Sequence, residues 1–325
     1  MTAKADSSVR GAPLRIGVSA CLLGQAVRFD GGHKRNDFLT EVFGRFVEFV
    51  PVCPEFELGL GVPRESIRLV RDGEEIRLVG NRSGADHTAA MRQFAARRAA
   101  ALAREELSGY VLKKDSPSCG MMRVRVHGAN GRPVRDGRGL FAQALMARYP
   151  HLPVEEEGRL NDPRLRENFI ERVFAYRRLR DFFASRWSAG GLAAFHAAHH
   201  LQLLAHAPRA CAELGRMAAR AKSIDRRELR DSYEREFMAA LAKIASPARH
   251  VKVLRHIAGY FRGQLDADSR RELAALIDGY RRGLIPLIAP ISLMRHYARR
   301  FGIADLAGQV YLEPHPMELL PRNRV

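Results

Sequence analysis

Three short runs of β-branched and apolar residues, Arg15 to Ala20 (RIGVSA), Phe46 to Val52 (FVEFVPV) and Gly109 to Lys113 (GYVLK), each end in a loop. They read as buried parallel strands. Between the second and third, a run from about Thr88 to Leu107 rich in Ala, Arg and Glu has the composition of a crossover helix. Two further stretches alternate about turn residues: SIRLVRDGEEIRLVG is expected to turn at Asp72-Gly73, and VRVHGANGRPV at Asn130-Gly131. The N-terminal part is thus expected to be an α/β domain with a parallel, Rossmann-like sheet and β insertions, over residues 14–155.

The texture changes near residue 155, across the acidic stretch VEEEGRL, which reads as a linker. Beyond it the hydrophobic period becomes helical. Asp162-Pro163 starts a helix with an N-cap and a first-turn proline, and Leu165, Phe169, Val173 and Tyr176 fall on one face. Ser269-x-x-Glu272 reads as a capping box, and Leu273, Leu276, Ile277 and Tyr280 keep the i, i+3, i+4, i+7 pattern until Gly283 and Pro286. Val251 to Phe261 and Leu293 to Phe301 read the same way. Residues 160–325 are therefore expected to form an all-α domain.

Charge adds a partner class to this outline. The 325 residues carry 54 Lys+Arg against 36 Asp+Glu, a formal net charge of +18. Residues 1–160 hold 25 basic and 19 acidic side chains, and residues 161–325 hold 29 and 17. A surplus concentrated in the helical half favours nucleic acid as a partner. Residues 1–13 are polar and small, without the apolar core of a secretory signal, and are expected to form a disordered tail. The stretch GLIPLIAPISLM is too short and too proline-broken to span a bilayer. The expectation is a soluble cytoplasmic protein with no membrane partner, whose four cysteines are ligands, catalysts or core residues instead of disulfides.

Cys21, Cys53 and Cys119 each lie at or just after the C-terminal end of an expected strand, the edge where open parallel sheets gather ligands. Separations of 32 and 66 residues match neither paired zinc motifs nor ferredoxin runs. Soft thiolates suit zinc and iron–sulfur clusters alike, and buried small hydrophobes are the plain alternative. Three thiolates without a fourth protein ligand would leave one position open for substrate.

The flanking residues narrow the field. The cysteines sit in VSACLLG, PVCPE and SPSCG, with Glu55 two residues after Cys53 and with Ser116 and Ser118 just before Cys119. These three motifs, in this order over residues 14–150, resemble the thiouracil desulfidase family. The resemblance implies a [4Fe-4S] cluster held by Cys21, Cys53 and Cys119, with one iron free for substrate. Residues 160–325 resemble the helical domain often fused to it, through RENFIERVFAY, FHAAHHLQLLAH, HVKVLRHIAGYF and YLEPHPMELL. This two-domain form resembles bacterial desulfidases that act on 4-thiouridine in tRNA. The chain departs from that pattern at His200, where lysine is expected.

A non-redox mechanism follows: the exocyclic sulfur binds the open iron, water attacks the ring carbon, Glu55 serves as general base and Ser116 as the favoured partner in proton transfer. Ser118, Arg28 and Asp30 are the expected substrate contacts, the last two from the loop RFDGGHKRN. The favoured substrate is thiolated tRNA; a small free thiobase or thionucleoside is the second reading, and a nucleic-acid-binding protein with structural zinc the third. His196, His199, His200 and His206 share a helix side as metal ligands would, but no carboxylate or cysteine nearby completes the set, so they read as core or RNA contacts; Cys211 reads as an ordinary core or surface thiol and not as a fourth ligand. Arg177, Arg178, Arg180, Arg281, Arg282, Arg295, Arg299 and Arg300 form faces suited to an RNA backbone.

Overall fold

The first half of the chain is built on strand β1 (Arg15–Ser19), whose neighbours in space are remote in sequence. β2 (Glu48–Val52) pairs with it in parallel, Arg15 opposite Glu48 and Ser19 opposite Val52. The short helix α1 (Pro54–Glu57) follows β2 directly. Strands β3 (Ile67–Asp72) and β4 (Glu75–Gly80) make the expected hairpin, and α2 (Thr88–Ala101) is the crossover to β5 (Gly109–Leu112), which lies parallel to β1 on its other side. Ile16, Val18, Val111 and Leu112 are buried, so these strands are apolar on both faces, as parallel strands covered by helices must be.

β6 (Val124–His127) and β7 (Val134–Gly137) pair antiparallel, and β6 runs parallel to β3. The two hairpins therefore join into one sheet, in the order β4-β3-β6-β7, instead of decorating the first sheet separately. α3 (Leu140–Arg148) completes this unit by packing on α2. Residues 13–128 and 132–319 are described in this computed structural model. The expected Asn130-Gly131 turn and the expected tail up to residue 12 lie outside them.

The chain divides into two units, Met1–Arg148 and Tyr149–Val325. In the second, β8 (Val154–Glu156) occupies the stretch whose acidity reads as a linker. Glu155 and Glu156 are buried there, and Glu155 accepts hydrogen bonds from Arg159 Nε at 2.6 Å and from the Glu156 amide at 3.0 Å. Helices follow: α4 (Pro163–Ala184), α5 (Ala189–His206), α6 (Pro208–Ala219), α7 (Arg226–Ala242), α8 (Pro247–Gly259), α9 (Ala267–Arg281) and α10 (Ile288–Arg300). The apolar faces of α5, α8, α9 and α10 meet in a core that includes Leu254, Ile257, Phe261, Ile291 and Met294.

Asp162 caps α4 as expected, accepting from the amides of Arg164 and Leu165, with Pro163 in the first turn. The capping box at Ser269 is not the start of α9. That helix begins earlier, because the Asp266 carboxylate accepts from the Ser269 amide and takes the cap itself. Among the described residues, no helix is long and apolar enough to cross a membrane.

Candidate active site

The order β2-β1-β5 places the C-terminal ends of three neighbouring strands side by side, and each cysteine leaves from one of them. Cys21 lies in a turn of 3-10 helix, Ala20–Leu23, directly after β1. Cys53 follows β2 and stands at the N-cap of α1, with Pro54 in the first turn. Cys119 sits in the loop after β5, where the Ser116 Oγ accepts from the amides of Ser118 at 3.2 Å and Cys119 at 3.0 Å. Ser19, at the end of β1, ties the first and third strands together by accepting the Lys113 amide at 2.9 Å.

The Cys119 loop is also fixed from below. The first amides of α3, which have no partner within the helix, reach the loop carbonyls: Leu140 to Pro117 at 3.2 Å, Phe141 to Ser118 at 3.0 Å and Ala142 to Ser118 at 3.2 Å. This approach needs Gly139, because a Cβ there would stand 2.5 Å from the Ser118 carbonyl and 2.8 Å from the Cys119 nitrogen.

Cys21, Cys53 and Cys119 line one cavity of about 400 Å³, together with Arg28, Glu55, Arg64 and Ser116. None of the three is in a disulfide; Cys21 and Cys119 are buried, and Cys53 is partly buried. Burial pushes the Cys119 thiol well above its ordinary value and raises that of Cys53, where the Glu55 charge adds to the effect. Holding these sulfurs as thiolates therefore calls for a compensating positive charge, which a bound metal supplies.

Glu55 is positioned at both oxygens. Its Oε1 accepts from the Ser118 hydroxyl at 2.9 Å, and its Oε2 accepts from Arg64 Nε at 3.1 Å and Nη2 at 2.6 Å. The pair is largely shielded, the side chains being 14% and 6% exposed. Arg64 also donates from Nη1 to the carbonyls of Val27 at 3.1 Å and Gly61 at 2.9 Å, so one guanidinium holds the carboxylate and two loops. Pairing with Arg64 is also the ordinary fate that the sequence offers an acidic loop residue such as Glu55, and the structure forms that pair.

The expected site residues do not all occupy the same place. Arg28 lines the cavity, with its Nε 3.4 Å from Asp30 Oδ1. Asp30 stands outside the lining, exposed, and braces its loop by accepting the Gly32 amide at 3.0 Å, the chief reason its carboxyl is held below the ordinary range. Ser116 lines the cavity, whereas Ser118 is fully buried against Glu55. Lys34, Lys113 and Lys114 add positive charge around the opening.

The comparisons with known proteins agree with this division. A family model described as 2-thiouracil desulfurase matches residues 16–157, and one described as a protein of unknown function, DUF1722, matches residues 200–316. YbgA of Escherichia coli (strain K12) is 34% identical over 160 residues, covering 48% of this chain and 94% of the relative. YbbK of Bacillus subtilis (strain 168) is 29% identical over 150 residues, 45% of this chain and 97% of the relative. Among solved structures, the [4Fe-4S]-dependent thiouracil desulfidase TudS shares 33% identity across 46% of this chain and 94% of its own, with a TM-score of 0.37. The chain belongs to the 2-thiouracil desulfurase family through its N-terminal residues and carries a DUF1722 domain after them.

Proposed function

We propose that the chain is a [4Fe-4S]-dependent desulfidase of thiolated pyrimidines that converts 4-thiouridine in tRNA to uridine, water replacing sulfur and hydrogen sulfide leaving. The observation that carries this reading is the meeting of three cysteine thiols, none of them in a disulfide, and the Glu55 carboxylate in one cavity. The donor set fits a cluster: three soft ligands arrive from three strand ends, without a fourth cysteine, and the space of about 400 Å³ exceeds what a single ion needs and falls in the range of small-ligand sites.

Cys21, Cys53 and Cys119 would hold the cluster. When bound through three thiolates, it supplies an open iron, a Lewis acid for the exocyclic sulfur. The remaining work falls to side chains of this domain. Arg64 fixes Glu55 Oε2, and Oε1, which accepts from Ser118, keeps a second lone pair for a water proton. Glu55 is the general base that takes a proton from the attacking water, and Ser116, on the cavity wall, takes part in the transfer that follows. Arg28 meets the pyrimidine from the cavity wall, and Ser118, buried behind Glu55, acts on the substrate only through the orientation it gives that carboxylate. Asp30 contributes by orienting Arg28.

The choice of tRNA is supported by the basic excess of residues 161–325. The arginines singled out there divide on inspection. Arg178 turns inward, donating to His199 Nε2 at 3.3 Å and the Pro314 carbonyl at 2.9 Å, and Arg295 is mostly buried and pairs with Glu313. Arg281, Arg282, Arg299 and Arg300 stay exposed and remain the phosphate contacts in this reading. The test is anaerobic turnover by the cluster-reconstituted full chain, scored by nucleoside mass spectrometry on thiolated tRNA with free 2-thiouracil alongside. Loss of 4-thiouridine from tRNA is expected. Turnover of free thiouracil alone would replace the tRNA reading with that of a small-molecule enzyme, and turnover of neither would refute the desulfidase.

A further inference from the structure

The helical unit holds a second group of metal-ligating side chains, separate from the cavity above. His196 and His200 lie one turn apart on α5 and therefore share a face. α5 ends at His206, and α6 packs back against it, bringing Cys211 to that face. One ligand atom from each of the three residues lies within 4.8 Å of the others. Cys211 Sγ is 3.4 Å from His200 Nδ1. In a tetrahedral zinc site, with Zn–S near 2.3 Å and Zn–N about 2.0–2.1 Å, sulfur and nitrogen stand about 3.5 Å apart. This pair already has ligand spacing.

The second imidazole is steered from two sides. His196 Nδ1 meets the hydroxyl of Tyr233 on α7 at 3.2 Å, and Tyr233 is fully buried. Such an outer partner fixes the ring and leaves Nε2 for an ion. Nε2 lies over Gly215, one turn beyond Cys211 on α6, where a Cβ would be 3.1 Å from it. A thiol–imidazole hydrogen bond would account for the Cys211–His200 contact alone. It gives no reason for a second imidazole to be brought beside that pair, held by a tyrosine and housed over a glycine.

We propose that His196, His200 and Cys211 bind a divalent ion of the zinc class, clamping α5 to α6, with the fourth position left to water or an incoming ligand. One thiolate and two neutral imidazoles are a zinc-type donor set, and binding releases the thiol proton to solvent. His200 is exposed, so the ion enters from solvent on its side. The proposal rests on the helical unit alone and is independent of the desulfidase reading.

The test loads the full chain, with its cluster in place, with Zn²⁺, removes the excess by gel filtration, and measures retained zinc by mass spectrometry. The wild type, Cys211→Ser, His196→Ala and Gly215→Val are compared after their far-UV circular dichroism has been matched. One equivalent of zinc is expected in the wild type and its loss in all three variants. X-ray absorption on the loaded wild type gives a second readout that requires no variant to fold: one sulfur and two imidazoles are expected around zinc. Equal zinc in the wild type and Cys211→Ser, no zinc retained, or a sulfur-rich shell from ions lodged at Cys21, Cys53 and Cys119 would overturn the site.

Discussion

Glu55 is oriented by a neutral hydroxyl on one oxygen and a guanidinium on the other, so its removal separates chemistry from assembly. Glu55→Gln keeps the shape of the side chain and loses the base. Turnover is expected to fall by about 10²–10⁴-fold with iron content unchanged, which steady-state rates and iron analysis on the same samples will check. His199 makes a different claim on proton balance. Its Nδ1 donates to the Phe195 carbonyl at 2.8 Å and its Nε2 accepts from Arg178, so the neutral ring fills its place. Burial, reinforced by the Arg178 charge, pushes its pKa down to about 3. In the unfolded chain it titrates near the ordinary histidine value of about 6.5. Between these two values the unfolded state takes up a proton that the folded state refuses. Stability is therefore lost as pH falls from about 6.5 toward 3, by about 1.4 kcal/mol per pH unit from this group. Urea titrations should show a shallower acid slope in His199→Gln than in the wild type, and equal slopes would contradict the assignment.

At the scale of elements, the Cys119 loop depends on the way α3 begins beneath it. Gly139→Ala sets a methyl against the Ser118 carbonyl and Cys119 nitrogen, both of them backbone atoms that cannot step aside cheaply. A loss of about 1–3 kcal/mol is expected from such overpacking, together with reduced iron retention. Thermal unfolding and iron analysis test both, and wild-type values for each would show that the loop is not held this way. The convergence of the three cysteines was legible in the sequence through two signals together: each follows a short apolar run that reads as a buried strand, parallel strands sending their C-terminal loops to one edge, and the three motifs carry the family resemblance. The Glu55–Arg64 pair was legible as the ordinary fate of an acidic loop residue, whereas the further reach of the same guanidinium to the Val27 and Gly61 carbonyls was not, because backbone acceptors leave no mark in a charge pattern. The acidic run at 155–157 looks solvated until Arg159 is seen folding back onto Glu155. Cys211 looked solitary because its neighbours His196 and His200 lie 15 and 11 residues earlier, across the helix break at Ala207. Asp266 displaced the expected capping box because its carboxylate, three residues before Ser269, accepts the Ser269 amide and so opens the helix one turn earlier.

For the molecule as a whole, the account assigns chemistry to the first unit and recognition of RNA to the second. If several exposed arginines neutralise phosphates, kcat/KM on thiolated tRNA should fall about tenfold or more between about 50 and 200 mM salt, while turnover of free thiouracil stays nearly constant. Rates measured across that range decide the matter, and equal salt dependence for the two substrates would remove RNA recognition from the helical unit. The central claim is that Cys21, Cys53 and Cys119 together hold the group that makes desulfidation possible. The most direct measurement is anaerobic release of sulfide from a thiolated pyrimidine by the full chain, before and after reconstitution with iron and sulfide, beside Cys21→Ala, Cys53→Ala and Cys119→Ala. The account predicts release only from the reconstituted wild type; equal release from the unreconstituted chain, or from any of the three variants, would contradict it.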